Sequence, residues 1–502
     1  MSAAARARPW MAAPDIDALA ASPATTLALL ALALAQQALG HTDVDVSWFL
    51  TFADKWLDGQ TPYVDILDPN PPLAFLSLVP AILLARGLHV AAEPIVSALV
   101  FLFAAATLTF AARPLGLSTK PRREAMPMVN AGIFVFLVLP GIAFAEREHL
   151  ALLALAPLLA LFAVQAEGRA ASKAARIAAG LLAGLAMCFK PYFLLPAALP
   201  ALDAARRQRS LAPLLAPEFR AAAALVAAYA LVVVLAFPAY AGYAAPVIAQ
   251  IYAPARDSWS NLAFASLAPF VVALLIGAVL AAPPQTAPPL ARVAFLAAVG
   301  FFIGFLHQGK GWTNHAFPAL ALALLAFVMR WLGASDHDRT HPAFKFLLAP
   351  ALVAAPLTMG ALAQLGDAEE HPGLAAAVAR LAPQKPRLIA LARQMDFGHP
   401  LTRRLHGAWV GRPNALWTAS FAVTLLGRET DPAQRAMLED WRRRDLAGFA
   451  EDVRRGRPDA VIVEDRQTRE WAQKRPEFAG ALDGYGLAGA VGEIEIWTRS
   501  AP

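Results

Sequence analysis

The sequence predicts an α-helical polytopic membrane protein. It should have about eleven transmembrane helices, interfacial helices on its outer side, and a soluble α/β domain at the C-terminus. Three observations predict it. Of 502 residues, 58% are apolar and only 16% charged, where a soluble chain carries about 25% charged residues. The apolar residues gather in segments near the length of about 20 that crosses roughly 30 Å of hydrocarbon. After about residue 363 charge becomes dense again, and short apolar runs alternate with it.

These features exclude an ordinary cytosolic enzyme and a disordered chain. The single cysteine, Cys188, excludes an internal disulfide and a cysteine-based zinc site. A net charge of +6 does not call for nucleic acid. Much of the excess sits in short loops between apolar segments, where membrane orientation explains it.

The expected spans are 24–40, 93–112, 127–143, 150–165, 219–237, 262–282, 291–306, 315–332 and 346–363. Loop charge decides two further apolar stretches. Residues 41–72 hold six Asp against one lysine, Lys55, whereas 113–124 holds Arg113, Lys120, Arg122 and Arg123 against Glu124. The second loop should be cytoplasmic, so an odd number of crossings separates the two. Span 93–112 supplies one, and 72–92 stays on the outer side as an apolar helix lying in the interface or re-entering. Segments 166–176 and 203–220 are both basic. The stretch between them, 177–203, therefore crosses twice and turns near Lys190-Pro191. The N-terminus, with Arg6 and Arg8, lies inside, and the C-terminus lies outside. A membrane domain over 1–363 and an outer domain over 364–502 follow. In the latter, 388–391, 460–463 and 494–497 read as strands, and 430–455 and 467–483 as helices.

Mixed polar groups collect at the outer ends of the spans. They include Asp43 and Asp45, Asp65 to Asn70, Glu146-Arg147-Glu148-His149, Lys190-Pro191-Tyr192, Arg256-Asp257, and the run from His307 to His315. Acids, cations, amides and aromatics on one face fit a ligand that is both charged and sugar-like. Ionisable groups at membrane depth are functional candidates by default. Each also has an ordinary role: solvated Asp, a local Arg147–Glu pair, a snorkelling Lys190, an interfacial Trp312. Gly304 to Gly311 imitates a phosphate loop, but Gly311 replaces the magnesium-binding hydroxyl and no strand precedes it, so nucleotide binding is rejected.

The segment from Asp45 to Leu73 reads DVSWFLTFADKWLDGQTPYVDILDPNPPL. It resembles the first outer loop of the GT-C membrane glycosyltransferases, especially the group of the aminoarabinose transferase and the protein O-mannosyltransferases. The shared features are an acid after the first helix, an amphipathic helix containing Ala53, then a Gly and an aromatic, and Pro71-Pro72-Leu73 opening a second interfacial helix. Weaker likenesses lie at Glu146-Arg147-Glu148-His149-Leu150 and at Lys190-Pro191. Val46 and Asn70 depart from the pattern, which normally has a second acid and a cation or His at those places. Residues 25–35 look like a signal peptide ending at Ala33-Leu34-Ala35, but the resemblance requires this helix to stay.

The resemblance implies a polyprenyl-phosphate sugar donor and transfer to an acceptor hydroxyl, with inversion. It places the general base at Asp45, with Asp43 as the alternative. Lys190, Lys310, Arg147 and His315 are candidates for the donor phosphate. Glu148, Asp68, Asn70, Tyr192, Gln308 and Trp312 are candidates for other substrate contacts. The sequence assigns no certain cofactor, and a divalent metal between Asp65 or Asp68 and the phosphate would suit the chemistry. Partners would be the lipid-linked donor, a cell-envelope glycan, lipid or protein acceptor, and membrane lipid. The Ala/Arg-rich composition, the lack of an N-x-S/T sequon and the resemblance point to a bacterial inner membrane, with the site and C-terminal domain in the periplasm. A transporter of a lipid-linked glycan and a ligase using a lipid diphosphate are the other classes considered. A transporter would place its charges along a path at mid-membrane rather than at the outer rim.

Overall fold

A computed structural model of the chain describes residues 20–280, 287–333 and 371–500. The expected 346–363 span, the basic tail with Arg6 and Arg8, and the boundary at 363/364 lie outside the described residues.

Five described helices are long and apolar enough to cross a membrane: Ala92–Ala112, Arg147–Ala166, Pro217–Ala236, Pro289–Gln308 and Thr313–Leu332. The Arg147–Ala166 helix is buried along most of its length and packs against Ala92–Ala112, Lys173–Phe189 and Pro289–Gln308. Pro217–Ala236 packs on Lys173–Phe189 and fully buries only Glu218 and Ala222, as a helix facing lipid on its other side would. The 177–203 stretch is helical over Lys173–Phe189 and Leu195–Gln208, broken at Lys190-Pro191. Pro191 forces this break, because it lacks an N–H and holds Lys190 extended. The 127–143 stretch starts earlier, at Arg122, widens into a π-turn over Phe134–Val138, and stops at Pro140.

Small residues let the helices approach closely. A Cβ on Gly180 would lie 2.1 Å from the Glu218 carbonyl oxygen, and one on Gly300 would lie 2.6 Å from the Pro196 nitrogen. Gly87 has nothing within 4 Å of a built Cβ. We expect Gly180→Ala to destabilise by about 1–3 kcal/mol, and Gly87→Ala to be neutral or better. Thermal unfolding in detergent checks this. Equal midpoints for the two variants would contradict the close approach.

Pro23–Leu39 is followed by a 60° bend into Val44–Leu57. The latter is the amphipathic helix expected after the first span, and Asp43 caps its start. Residues 72–92 form two short helices, Leu73–Leu76 and Val79–Leu88, rather than one. Phe75 stacks on Phe52 with ring centres 4.3 Å apart and meets Phe237 edge-on, which ties this segment to the bundle end.

The C-terminal domain is a five-stranded sheet in the order β2-β1-β3-β5-β4. Its strands are β1 Arg387–Leu391, β2 Ala408–Trp409, β3 Ala460–Val463, β4 Tyr485–Val491 and β5 Ile494–Arg499. β1, β2 and β3 are parallel, and β5 and β4 add antiparallel. The three expected strands are β1, β3 and β5. The helix expected at 430–455 spans Pro432–Gly456, but the one at 467–483 covers only Arg466–Gln473. Pro476 ends it by restricting Arg475.

The domain sits on the bundle end that carries the polar residues. Lys55 Nζ donates to the Gly411 carbonyl at 2.6 Å, and the Leu67 N–H to the Arg412 carbonyl at 2.9 Å. Arg403 bridges Asp54 and Glu93 at 2.7 and 2.5 Å. The buried His399 ring lies between Trp48 and Trp409. Trp441 Nε1 donates to Gln250 at 2.7 Å.

Candidate active site

Between the bundle end and the domain lies a cavity of about 1440 Å³. Its floor comes from the bundle, and two polar groups organise that floor.

The first is built around Arg147, at the start of the Arg147–Ala166 helix. One Arg147 amine donates to Asp45 Oδ2 at 2.5 Å, the other to Asn70 Oδ1. The guanidinium also lies 4.8 Å over the Phe49 ring. Asn70 is held in turn by Asp68, which accepts from the Asn70 backbone and side-chain amides at 2.7 and 2.9 Å. Trp48 Nε1 donates to the other Asp68 oxygen at 2.9 Å. Asp68 and Asn70 thus line the cavity and also position Arg147.

Asp43 and Asp45 differ in what their oxygens do. Asp43 Oδ1 accepts from the backbone N–H groups of Asp45 and Val46 at 2.7 and 3.3 Å, an N-cap arrangement. Asp45 makes no such cap and meets Arg147. Glu146 joins the two aspartates, with one oxygen of each within 4.8 Å of the others. Its Oε2 accepts from Asn314 Nδ2 at 2.6 Å. Burial and the neighbouring Asp45 charge push the Asp43 carboxyl up to about 8. Burial and the same aspartates hold Glu146 well above the usual range. This trio, not Asp65 or Asp68, is where carboxylate oxygens gather. Asp65 accepts from the Thr61 N–H at 3.0 Å, and Asp68 is occupied as described. A cation in the trio would compete with Arg147 for Asp45.

The second group surrounds Lys190, buried at the helix break. Its ammonium donates to Glu148 Oε1 and lies 3.3 Å from Gln308 Oε1 and from His315 Nε2. Glu148 Oε2 and His315 Nδ1 have no hydrogen-bond partner among the described residues. Tyr192 lies beside this cluster, its ring centre 5.9 Å from the ammonium. Lys190, Gln308, His315, Tyr192 and Trp312 all line the cavity.

Lys310 is placed elsewhere. It donates to the Tyr252 and Ala255 carbonyls, both at 2.5 Å, and lies 4.0 Å over the Tyr252 ring. Burial and nearby Arg256 and Arg428 pull it down to about 7. It braces the 252–255 loop against the Trp417–Leu426 helix, and Gly309, with φ +63°, turns the chain to do so. His149 is also structural. It accepts from the Ala145 N–H through Nδ1 and donates from Nε2 to the Phe136 carbonyl.

Sequence reasoning left several lining residues without a role. Glu146 and Asn314 appeared only inside longer polar runs. Tyr252, Gln394, Asn414 and Trp417 sit in unremarkable contexts, and only the fold brings them to the cavity.

No family model matches the sequence, and no curated protein matches it. The structure is similar to the crystal structure of ArnT from Cupriavidus metallidurans bound to undecaprenyl phosphate, with a TM-score of 0.56. The likeness covers 95% of this chain and 98% of that one, at 13% sequence identity. The fold is therefore of the GT-C type, with a polytopic helical body and a C-terminal α/β domain.

Proposed function

We propose that the chain transfers a sugar from a polyprenyl-phosphate donor to an acceptor hydroxyl, on the outer face of a bacterial inner membrane. The observation that carries this reading is the arrangement of the cavity floor. A carboxylate and two cations converge at the end of a membrane bundle whose fold matches a protein solved with undecaprenyl phosphate. The cavity is also lined by outward-facing Leu194, Ile248 and Ile303, which suits an isoprenoid chain entering from the side.

In this mechanism Asp45 takes the proton as the acceptor oxygen bonds to the anomeric carbon. The bond from that carbon to the phosphate oxygen breaks, and the phosphate keeps the electron pair. Direct displacement inverts the anomeric centre. Arg147 and Lys190 stabilise the charge that develops on the leaving phosphate. The phosphate competes with Asp45 for Arg147, so donor binding frees the carboxylate to accept a proton. Gln308 and His315 keep Lys190 in place as its contact with Glu148 is shared.

Purified protein in lipid, given a panel of polyprenyl-phosphate sugars, should consume one and glycosylate an acceptor. Movement of a lipid-linked glycan between leaflets with no sugar transfer would defeat the reading.

The acid trio predicts a pH dependence. Asp43 is protonated below about pH 8 and ionises above it, which puts a second negative charge beside Asp45. The KM for donor should therefore rise as pH increases past about 8. Asp43→Asn keeps an N-cap and should remove that inflection. A wild-type profile that is flat to pH 9.5 would refute it.

A further inference from the structure

The C-terminal domain turns the carboxyl ends of its parallel strands toward the cavity. In the order β2-β1-β3, the chain leaves β1 on one side to form β2 and returns on the other side to form β3. Open α/β sheets bind ligands at the carboxyl ends of strands where connections diverge in this way. The segment after β1 places Gln394 in the cavity, and the segment after β2 places Asn414 there. Trp417 and Ser420 follow on the Trp417–Leu426 helix and also line it.

The chemistry of this roof differs from that of the floor. Asn414 is buried, and among the described residues its Oδ1 has no partner and its Nδ2 reaches only the Met395 sulfur at 3.9 Å. Gln394 is exposed to the cavity. Trp417 packs edge-on against Phe421 and Tyr252, giving an aromatic wall beside amides and a hydroxyl. Arg393 is the roof's cation, and its guanidinium is taken by Glu464. Below, Arg147 and Lys190 are engaged by a single donor phosphate. Among the described residues, no unpaired cation lines the roof for a second phosphate.

We propose that this roof is the acceptor subsite and that it takes a neutral, hydroxyl-rich glycan rather than a phosphorylated one. A sugar ring packs on Trp417, and its hydroxyls bond Asn414 and Gln394. Aromatic faces supply contact area for such rings, and an unsatisfied buried amide favours ligands that bond it. The inference rests on the glycosyltransferase reading of the floor. The roof contributes binding alone, and the bonds made and broken stay at Asp45 and the phosphate.

The test uses the full-length protein in nanodiscs with the radiolabelled polyprenyl-phosphate sugar it consumes. Envelope glycans, separated by anion exchange into neutral and phosphorylated pools, serve as acceptors. Label should enter the neutral pool. Asn414→Ala and Gln394→Ala should each raise the acceptor KM by about three- to tenfold, and Trp417→Ala by about tenfold, with the donor KM moving less than twofold. Trp417→Ala removes a packed ring, so Gln394→Ala, which removes an exposed side chain, keeps the test valid if that variant fails to fold. Label only in the phosphorylated pool, or only in protein or lipid, overturns the acceptor class. Unchanged acceptor KM in the variants overturns the roof as its site. Failure of the wild type to consume any donor is a separate result, which defeats the floor reading and this inference with it.

Discussion

Asp45→Asn should abolish sugar transfer, lowering kcat by about 10³-fold or more, while undecaprenyl phosphate still binds within about threefold of wild type. A positioned general base contributes roughly 10²–10⁴ in rate, and asparagine cannot take the proton. Binding survives because Arg147 does not depend on Asp45 for its place. Asn70 and the Phe49 ring still hold it, and loss of the carboxylate removes a competitor for the phosphate. Asp43→Asn is the matched control. It lies two residues away in the same acid trio, but its Oδ1 caps a helix, a task asparagine performs equally well. At neutral pH its kcat should change by less than about tenfold. Single-turnover transfer and a lipid-phosphate binding assay on both variants decide the matter. An active Asp45→Asn beside a dead Asp43→Asn would move the base by two residues.

The division between what sequence carried and what it hid follows the range of the interactions. Helix breaks were legible because their causes are local. Pro191 interrupts 177–203, and Pro71-Pro72 opens the interfacial segment. Loop charge set an expected order of crossings without any tertiary information. Asp45, Arg147 and Lys190 were legible as candidates because each sits at a span end where an unneeded charge would be costly. Their partners were not, since Arg147 and Asn70 are 77 residues apart and Lys190 and His315 are 125 apart. Lys310 shows the converse. Its position in a polar turn looked like the others, yet its ammonium is turned to the Tyr252 and Ala255 carbonyls. β4 escaped notice because its run, YGLAGAV, carries two glycines and is mostly exposed. That gives it neither the alternation nor the β-branched content of a buried strand.

Removing Lys190 should damage both stability and function, and the two losses can be separated. Glu148 is 0% exposed and Lys190 only 8%. Lys190→Met would leave a buried carboxylate without its cation, which typically costs about 3–5 kcal/mol. Part of any lost activity would then be lost fold. The double variant Lys190→Met with Glu148→Gln removes both charges at once. Replacing a whole buried pair by neutral groups of similar size is often close to neutral, and the new glutamine can bond Gln308 or His315. The double variant should therefore unfold near the wild-type temperature. It should still lose about 10²–10³ in kcat/KM for donor, because a cation facing the leaving phosphate is worth that much in a dry site. Thermal unfolding and donor kinetics on the single and double variants supply both readings. Recovered stability with unrecovered activity assigns Lys190 to the phosphate. Recovery of both would mean that the Lys190–Glu148 pair only fills the floor, leaving Arg147 as the cation that meets the donor.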